Sequence, residues 1–146
     1  MTAIVCVSQN WGIGRDGALL FRISADLKRF KALTVGKTVI LGRKTLDTFP
    51  GGKPLKDRRN IVLSRRELDI PGAEIAHSFE EAAALGGDDA IVIGGGSVYR
   101  QMLPFCDAAY VTKVHVTPES DTFFPNLDED KDWYLAETLQ SGEENG

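Results

Sequence analysis

The sequence predicts an α/β fold, a mostly parallel central sheet covered by helices, on three observations. Short β-branched runs alternate with helical patterns along the chain, as they do in proteins built around such a sheet. Several of these runs carry apolar residues on both faces, as in a covered parallel sheet. The 146 residues are 42% hydrophobic, which fits a single domain with one real core over residues 1–146.

The elements follow in order. Ala3 to Val7 reads as the first strand, with no polar residue on either face. Gln9 to Leu20 reads as a loop punctuated by Gly12, Gly14 and Gly17. Ser24 to Leu33 reads as a helix, because Ile23, Leu27, Phe30 and Leu33 recur at helical spacing. Thr38 to Leu41 and Asn60 to Leu63 are the next strands, separated by a Pro- and Gly-marked loop over Phe49 to Asp57. Phe79 to Leu85 is a short helix, Ala90 to Ile93 a strand, and Ser97 to Leu103 a helix ended by Pro104. Ala109 to Val114 is a strand, Thr117 to Asn126 a loop, and Trp133 to Gln140 a last strand running towards Asn145-Gly146, a hairpin-turn signal.

Composition removes several function classes. Seventeen Lys and Arg against 21 Asp and Glu give a net charge of −4, which argues against a general nucleic-acid or anionic-membrane surface. No apolar run reaches the roughly 18 residues of a membrane helix, and no basic region precedes the first apolar stretch, so a cytoplasmic protein is expected. Cys6 and Cys106 form no C-x-x-C pair and read as reduced thiols, while His77 and His115 are isolated, so no metal site is expected.

Charge is distributed unevenly. Between residues 43 and 66 eight basic residues face only Asp47 and Asp57, a local excess of +6, and from residue 117 the balance reverses. Such an excess in an acidic protein suggests a multiply anionic small ligand. The run Ala90-Ile91-Val92-Ile93 stops at Gly94-Gly95-Gly96 and restarts as helix, a junction where bare backbone and a helix N-terminus favour a phosphate. A tight turn with close strand-to-helix packing would read the same way. Asp26 lies four residues before Phe30 and seven before Leu33, which sets its carboxylate on the apolar stripe, where burial would raise its pKa. The alternative is a first-turn Asp behind a Ser24 cap, favoured by the helix dipole.

Taken together, the segments resemble dihydrofolate reductase over nearly the whole chain. Six motifs stand in the family's order: Trp11-Gly12-Ile13-Gly14, Ser24-Ala25-Asp26-Leu27-Lys28-Arg29-Phe30, Val39-Ile40-Leu41-Gly42-Arg43-Lys44-Thr45, Arg59-Asn60-Ile61-Val62-Leu63-Ser64-Arg65, Ile93-Gly94-Gly95-Gly96-Ser97-Val98-Tyr99 and Asp121-Thr122-Phe123-Phe124-Pro125. The resemblance implies a three-layer α/β sandwich and NADPH-dependent reduction of 7,8-dihydrofolate to tetrahydrofolate, a step of one-carbon metabolism. It implies diaminopyrimidine or pteridine antifolates as further ligands, no metal, and a monomer.

It also implies roles. Asp26 would grip N3 and the exocyclic amine of the pteridine and promote protonation at N5, with the Thr112 hydroxyl completing the network. Ile4, Val5, Leu27, Phe30, Phe49, Leu55 and Ile93 would wall the substrate pocket, and Arg58 would pair with the α-carboxylate of the glutamate tail. Arg43, Ser64 and Arg65 would hold the 2′-phosphate of NADPH, with Arg43 and Lys44 preceding a helix opened by Thr45. Lys44 and Thr45, facing Gly95, Gly96, Ser97 and Val98, would hold the pyrophosphate, and Gly94-Gly95 matches the family's cis bond. Tyr99 and Ile13 would flank the nicotinamide, and Cys6, Gly14, Leu19, Gly42 and Leu63 would complete the cofactor's surroundings. The loop Gly14 to Leu20 would close over the cofactor and latch against Asp121.

Two departures stand out. Leu19-Leu20-Phe21 replaces the family's usual Leu-Pro-Trp, removing an indole N–H near the pteridine carbonyl. The family's last antiparallel strand has no match after Gly146, so an open sheet and marginal stability are expected, relieved in part by NADPH. A riboflavin-pathway pyrimidine reductase would share the fold and cofactor site but need neither Asp26 nor Arg58. A non-catalytic nucleotide-binding module would have no use for a carboxylate on an apolar helix face.

Overall fold

The structure, a computed structural model, describes residues 1–15, 18–21 and 24–135. In chain order its elements are β1 (Thr2–Ser8), β2 (Gly12–Arg15), β3 (Ala18–Leu19), α1 (Ser24–Thr34), β4 (Thr38–Gly42), α2 (Arg43–Asp47), β5 (Arg59–Leu63), β6 (Ala73–Ala76), α3 (Phe79–Gly86), β7 (Ile91–Gly94), α4 (Gly96–Met102), β8 (Ala108–Val114) and β9 (Thr122–Phe123). Six strands form one sheet in the order β6-β5-β4-β7-β1-β8, every neighbouring pair parallel. A smaller antiparallel sheet, β3-β2-β9, lies beside it.

Strand alternation sorts the core into two layers. On one face Ala3, Val5, Val7, Ile40, Ile61 and Val92 pack with Ala82 of α3 and with Val98, Tyr99 and Met102 of α4. On the other, Val39, Leu41, Val62, Ile91 and Ile93 pack with Leu46 of α2, and Ile4, Phe30, Phe49 and Leu55 close over them. The expected three-layer α/β sandwich is what forms, with Arg43, Lys44 and Thr45 directly after β4 and Ser64, Arg65 and Arg66 directly after β5.

Four readings are corrected. Gln9 to Leu20 is not all loop: it holds β2 and β3, whose four and two residues are too short to show a strand period. Thr117 to Asn126 likewise contains β9, made a strand by pairing with β2. β6 was invisible because it is an edge strand broken by Glu74, whose carboxylate pairs with Arg59. Arg43 and Lys44 do not precede a helix opened by Thr45; they are its first residues, with Gly42 at the N-cap. Of the strand expected over Trp133 to Gln140, residues 133–135 carry no strand, and the remainder lies outside the described residues. No helix among the described residues is long and apolar enough to cross a membrane.

Candidate active site

On the α1 side of the sheet, β1 and β8 run in register, Ile4 beside Tyr110 and Cys6 beside Thr112. Even-numbered residues of both strands therefore face α1. Thr112 Oγ donates to Asp26 Oδ1 at 2.5 Å, and the Arg29 guanidinium sits 5.5 Å from the Tyr110 ring centre, so α1 is tied to β8 at two successive turns. Asp26 is half-buried, between its two sequence readings: it stands in the first turn of α1, and it also faces a sheet strand.

Ile4, Phe30, Phe49, Leu55 and Ile93 come together beside it. Val5 does not join them: one residue from Ile4 on a strand, its side chain enters the opposite layer with Val7 and Tyr99, so it cannot wall this pocket. Leu27 is half exposed, on the open side of α1. Arg58 is aimed rather than free, its Nη1 donating to Thr34 Oγ at 3.0 Å and its Nε to the Lys56 carbonyl at 2.8 Å. Thr34 in turn donates to the Phe30 carbonyl at 2.7 Å. Burial holds the Arg58 guanidinium below its ordinary pKa, partly opposed by the adjacent Asp57.

Sequence reasoning missed Asn60, which is buried and staples the loop carrying Leu55 and Arg58. It accepts from the Leu55 N–H at 3.0 Å and donates to the carbonyls of Leu55 and Arg58, each at 2.9 Å. A polar residue at the start of an apolar strand was the available signal. Removing a buried amide with three partners leaves groups unsatisfied.

Cys6 has the same outlook as Asp26. Burial, reinforced by that carboxylate, pushes its thiol up to about 12. It therefore stays protonated at neutral pH and is a poor nucleophile. At pH 8 iodoacetamide is expected to label Cys6 roughly a thousandfold more slowly than a free cysteine of pKa about 8.5, with the rate still climbing at pH 11. Asp26→Asn should quicken it. Peptide mass spectrometry of quenched samples reads the rate, and a plateau near pH 8.5 would contradict the assignment.

The residues expected to hold the cofactor lie where β4, β5 and β7 end. Arg43, Asp47, Ser64, Arg65, Arg66 and Leu68 line a cavity of about 380 Å³. Arg43 is braced by Asp47 at 3.4 Å, and Ser64 Oγ accepts the Arg66 N–H at 3.1 Å. Arg66 was missed, although its neighbour Arg65 was singled out. Three guanidiniums and a hydroxyl around one open cavity are a donor set that fits a phosphate monoester.

At the glycine junction the Gly94-Gly95 bond is cis, and Gly95 caps α4. A Cβ on Gly95 would lie 3.2 Å from Thr45 Oγ, and one on Gly96 would collide with Thr122 at 2.6 Å. Bare backbone is thus required where Thr45 approaches. Lys44 and Ser97 are exposed and Val98 is buried beneath them, 3.0 Å from where a Cβ on Gly42 would sit. These residues fit a pyrophosphate.

Tyr99 is buried and donates to the Ile4 carbonyl at 2.6 Å; burial drives its phenol far above the usual range. Ile13 is buried on β2, and Leu63 is half-buried at the end of β5. Asp121 N–H donates to the Gly14 carbonyl at 3.0 Å, and Arg15 Nη1 meets Glu119 Oε2 at 2.9 Å, so β2 is fastened to the 117–121 segment. The Leu20 N–H donates to the Ile13 carbonyl at 3.2 Å, closing the turn. The placement of the Leu19 side chain lies outside what is described, as do residues 16 and 17 of the expected closing loop. Among the described residues no His, Cys, Asp and Glu group could hold a metal ion.

An apolar cluster beside one carboxylate and, on the same parallel sheet, an arginine-lined cavity that fits a phosphate are the arrangement expected of a dinucleotide-dependent reductase. Comparison with known proteins narrows the class. The family model for dihydrofolate reductase matches residues 1–146. The dihydrofolate reductase of Neisseria meningitidis serogroup A is 41% identical over 143 residues, which are 96% of this chain and 87% of that protein. Dihydrofolate reductase HdrB of Haloferax volcanii is 37% identical over 139 residues, 88% of this chain and 72% of that one. A solved dihydrofolate reductase from Enterococcus faecalis, complexed with NADP(H) and RAB-propyl, superposes with a TM-score of 0.77 at 38% identity, covering 87% of this chain and 77% of that chain. The chain belongs to the dihydrofolate reductase family.

Proposed function

We propose that Asp26, Thr112 and Arg58 carry, on this chain, the family's reaction: NADPH-dependent reduction of 7,8-dihydrofolate to 5,6,7,8-tetrahydrofolate. NADPH, when bound, supplies the hydride. The observation that carries the assignment is the 2.5 Å contact between Thr112 Oγ and Asp26 Oδ1 at the edge of the apolar pocket. Asp26 holds N3 and the exocyclic amine of the pteridine and favours its protonation at N5, while Thr112 fixes which carboxylate oxygen is free to do so. Ile4, Phe30, Phe49, Leu55 and Ile93 exclude water from the ring, and a planar substrate fits between α1 and the sheet. The same recognition suits diaminopyrimidine and pteridine antifolates.

Arg58, oriented by Thr34 and the Lys56 carbonyl, receives the α-carboxylate of the glutamate tail. Arg43, Ser64, Arg65 and Arg66 hold the 2′-phosphate; Lys44, Thr45 and the Gly95 to Val98 turn hold the pyrophosphate. Oxidation of NADPH in the presence of dihydrofolate tests the whole reading, and no turnover with that pair would sink it. Arg58→Ala is expected to raise the KM for dihydrofolate about tenfold or more and leave that for NADPH within twofold. An effect on NADPH alone would refute the placing of the tail.

A further inference from the structure

We propose that Lys113 is a positioning residue for NADPH: it clamps Trp11, and through the Trp11, Phe124 and Tyr99 rings it fixes the wall where the nicotinamide is assigned. β8 turns Thr112 towards α1 and Asp26, so by alternation Lys113 projects from the opposite face, where its side chain lies over Trp11 and the residue itself stays exposed. There its Nζ lies 4.6 Å from the centre of the Trp11 ring and 3.3 Å from Asp128 Oδ2. An ammonium over an indole face is attracted by the ring's negative π-surface, and the attraction grows as water is removed. Trp11 is 7% exposed, so this ring is largely dry on its other sides.

Trp11 needs holding. Its φ of +67° is in the left-handed region, where a bulky side chain is strained, and such a conformation persists only when the surroundings over-determine it. Two backbone bonds and a column of rings supply that hold. The Trp11 N–H donates to the Ser8 carbonyl at 3.0 Å, and its own carbonyl accepts the Phe124 N–H at 2.8 Å. The ring stacks on Phe124 with centroids 6.1 Å apart, and Phe124 meets Tyr99 edge-on at 4.8 Å. Lys113 closes the outer end of this column, and the Tyr99 hydroxyl bonded to the Ile4 carbonyl closes the inner one.

Trp11 is also the residue from which β2 starts. Gly12, Ile13 and Gly14 follow it directly, and Gly14 is the residue whose carbonyl holds Asp121. A tilt of the indole therefore moves the Ile13 side of the cofactor site through the backbone and the Tyr99 side through Phe124. The substrate side is reached only through the Tyr99 hydroxyl bond to the Ile4 backbone, since the Ile4 side chain lies on the far face of the sheet, and moves less. The Asp128 carboxylate contributes less than the ring, because it is exposed and an exposed ion pair is worth little.

The test uses the whole chain with Trp133→Phe, which leaves Trp11 as its one tryptophan. Lys113→Met is expected to change the emission of Trp11 in the cofactor-free protein and to raise the NADPH Kd three- to tenfold in a fluorescence titration. The KM for dihydrofolate and kcat at saturating NADPH should stay within twofold. Lys113→Arg, which keeps the cation, and Asp128→Asn, which keeps the lysine, should both remain within twofold of the parent. Should Lys113→Met not fold, Lys113→Gln carries the same expectation. An unchanged Kd, equal losses for NADPH and dihydrofolate, no rescue by arginine, or an Asp128→Asn loss as large as that of Lys113→Met would each overturn the proposal. The inference rests on the nicotinamide lying against Ile13. If that placement is at fault, Ile13→Ala leaves the NADPH Kd unchanged while cofactor-free Trp11 emission still responds to Lys113→Met; if the clamp is at fault, the pattern reverses.

Discussion

Asp26→Asn is expected to lower kcat for dihydrofolate reduction by a factor on the order of 10² or more, the range for losing a positioned acid–base group. Asparagine keeps the size of the side chain and can still accept from Thr112 Oγ, which now lies 2.5 Å from the carboxylate, so the folded chain should be little disturbed. What it loses is the negative charge opposite the pteridine. For the same reason a 2,4-diaminopyrimidine, bound as a cation, should lose about 1.5 to 3 kcal/mol of affinity, the worth of a hydrogen bond to a charged group. Steady-state kinetics and inhibitor titration on one preparation decide the matter. An Asn variant with unaltered kcat would remove Asp26 from the chemistry, whatever its effect on inhibitors.

Arg43→Ala or Arg65→Ala should weaken NADPH by about 1.5 to 3 kcal/mol, roughly 10- to 150-fold, and leave NADH nearly untouched. The asymmetry is the content of the prediction, because only NADPH carries the 2′-phosphate. Arg66 lines the same cavity of about 380 Å³ and can take up part of the charge, so single losses should fall at the low end and the double variant should exceed either. Arg43 also braces Asp47 across one turn of α2, an exposed pair too weak to account for a change of this size. Equal losses for the two cofactors would place these arginines away from the phosphate.

Legibility in the sequence followed the range of the interactions. The strands β1, β4, β5, β7 and β8 were readable because each is an apolar run longer than the local noise, and α1, α3 and α4 because their apolar residues repeat. β2, β3, β6 and β9 were not readable, since runs of two to four residues with no clear period become strands only when a partner strand supplies the hydrogen bonds. In the site, Asp26 and the arginine cluster stood out through charge in unusual company. Asn60 and Lys113 did not, because what each does depends on residues it meets only after folding: the Leu55 loop for one, the Trp11 ring for the other. Val5 was misassigned by a single step along a strand, the smallest error that moves a side chain from one layer to the next.

The place of β1 in the sheet has a consequence for synthesis. It is made first, yet it lies between β7 and β8, with Thr2 beside Ile91 on one side and Ala108 on the other. At about 5 to 20 residues per second, its first partner emerges roughly 5 to 20 s later and its second some seconds after that. Through that interval an apolar strand with both edges bare is exposed in the nascent chain, and no local pairing can satisfy it. Folding therefore has to be late and nearly simultaneous for β7, β1 and β8. Faster elongation, which shortens the interval before β1 meets its partners, is expected to raise the yield of soluble protein.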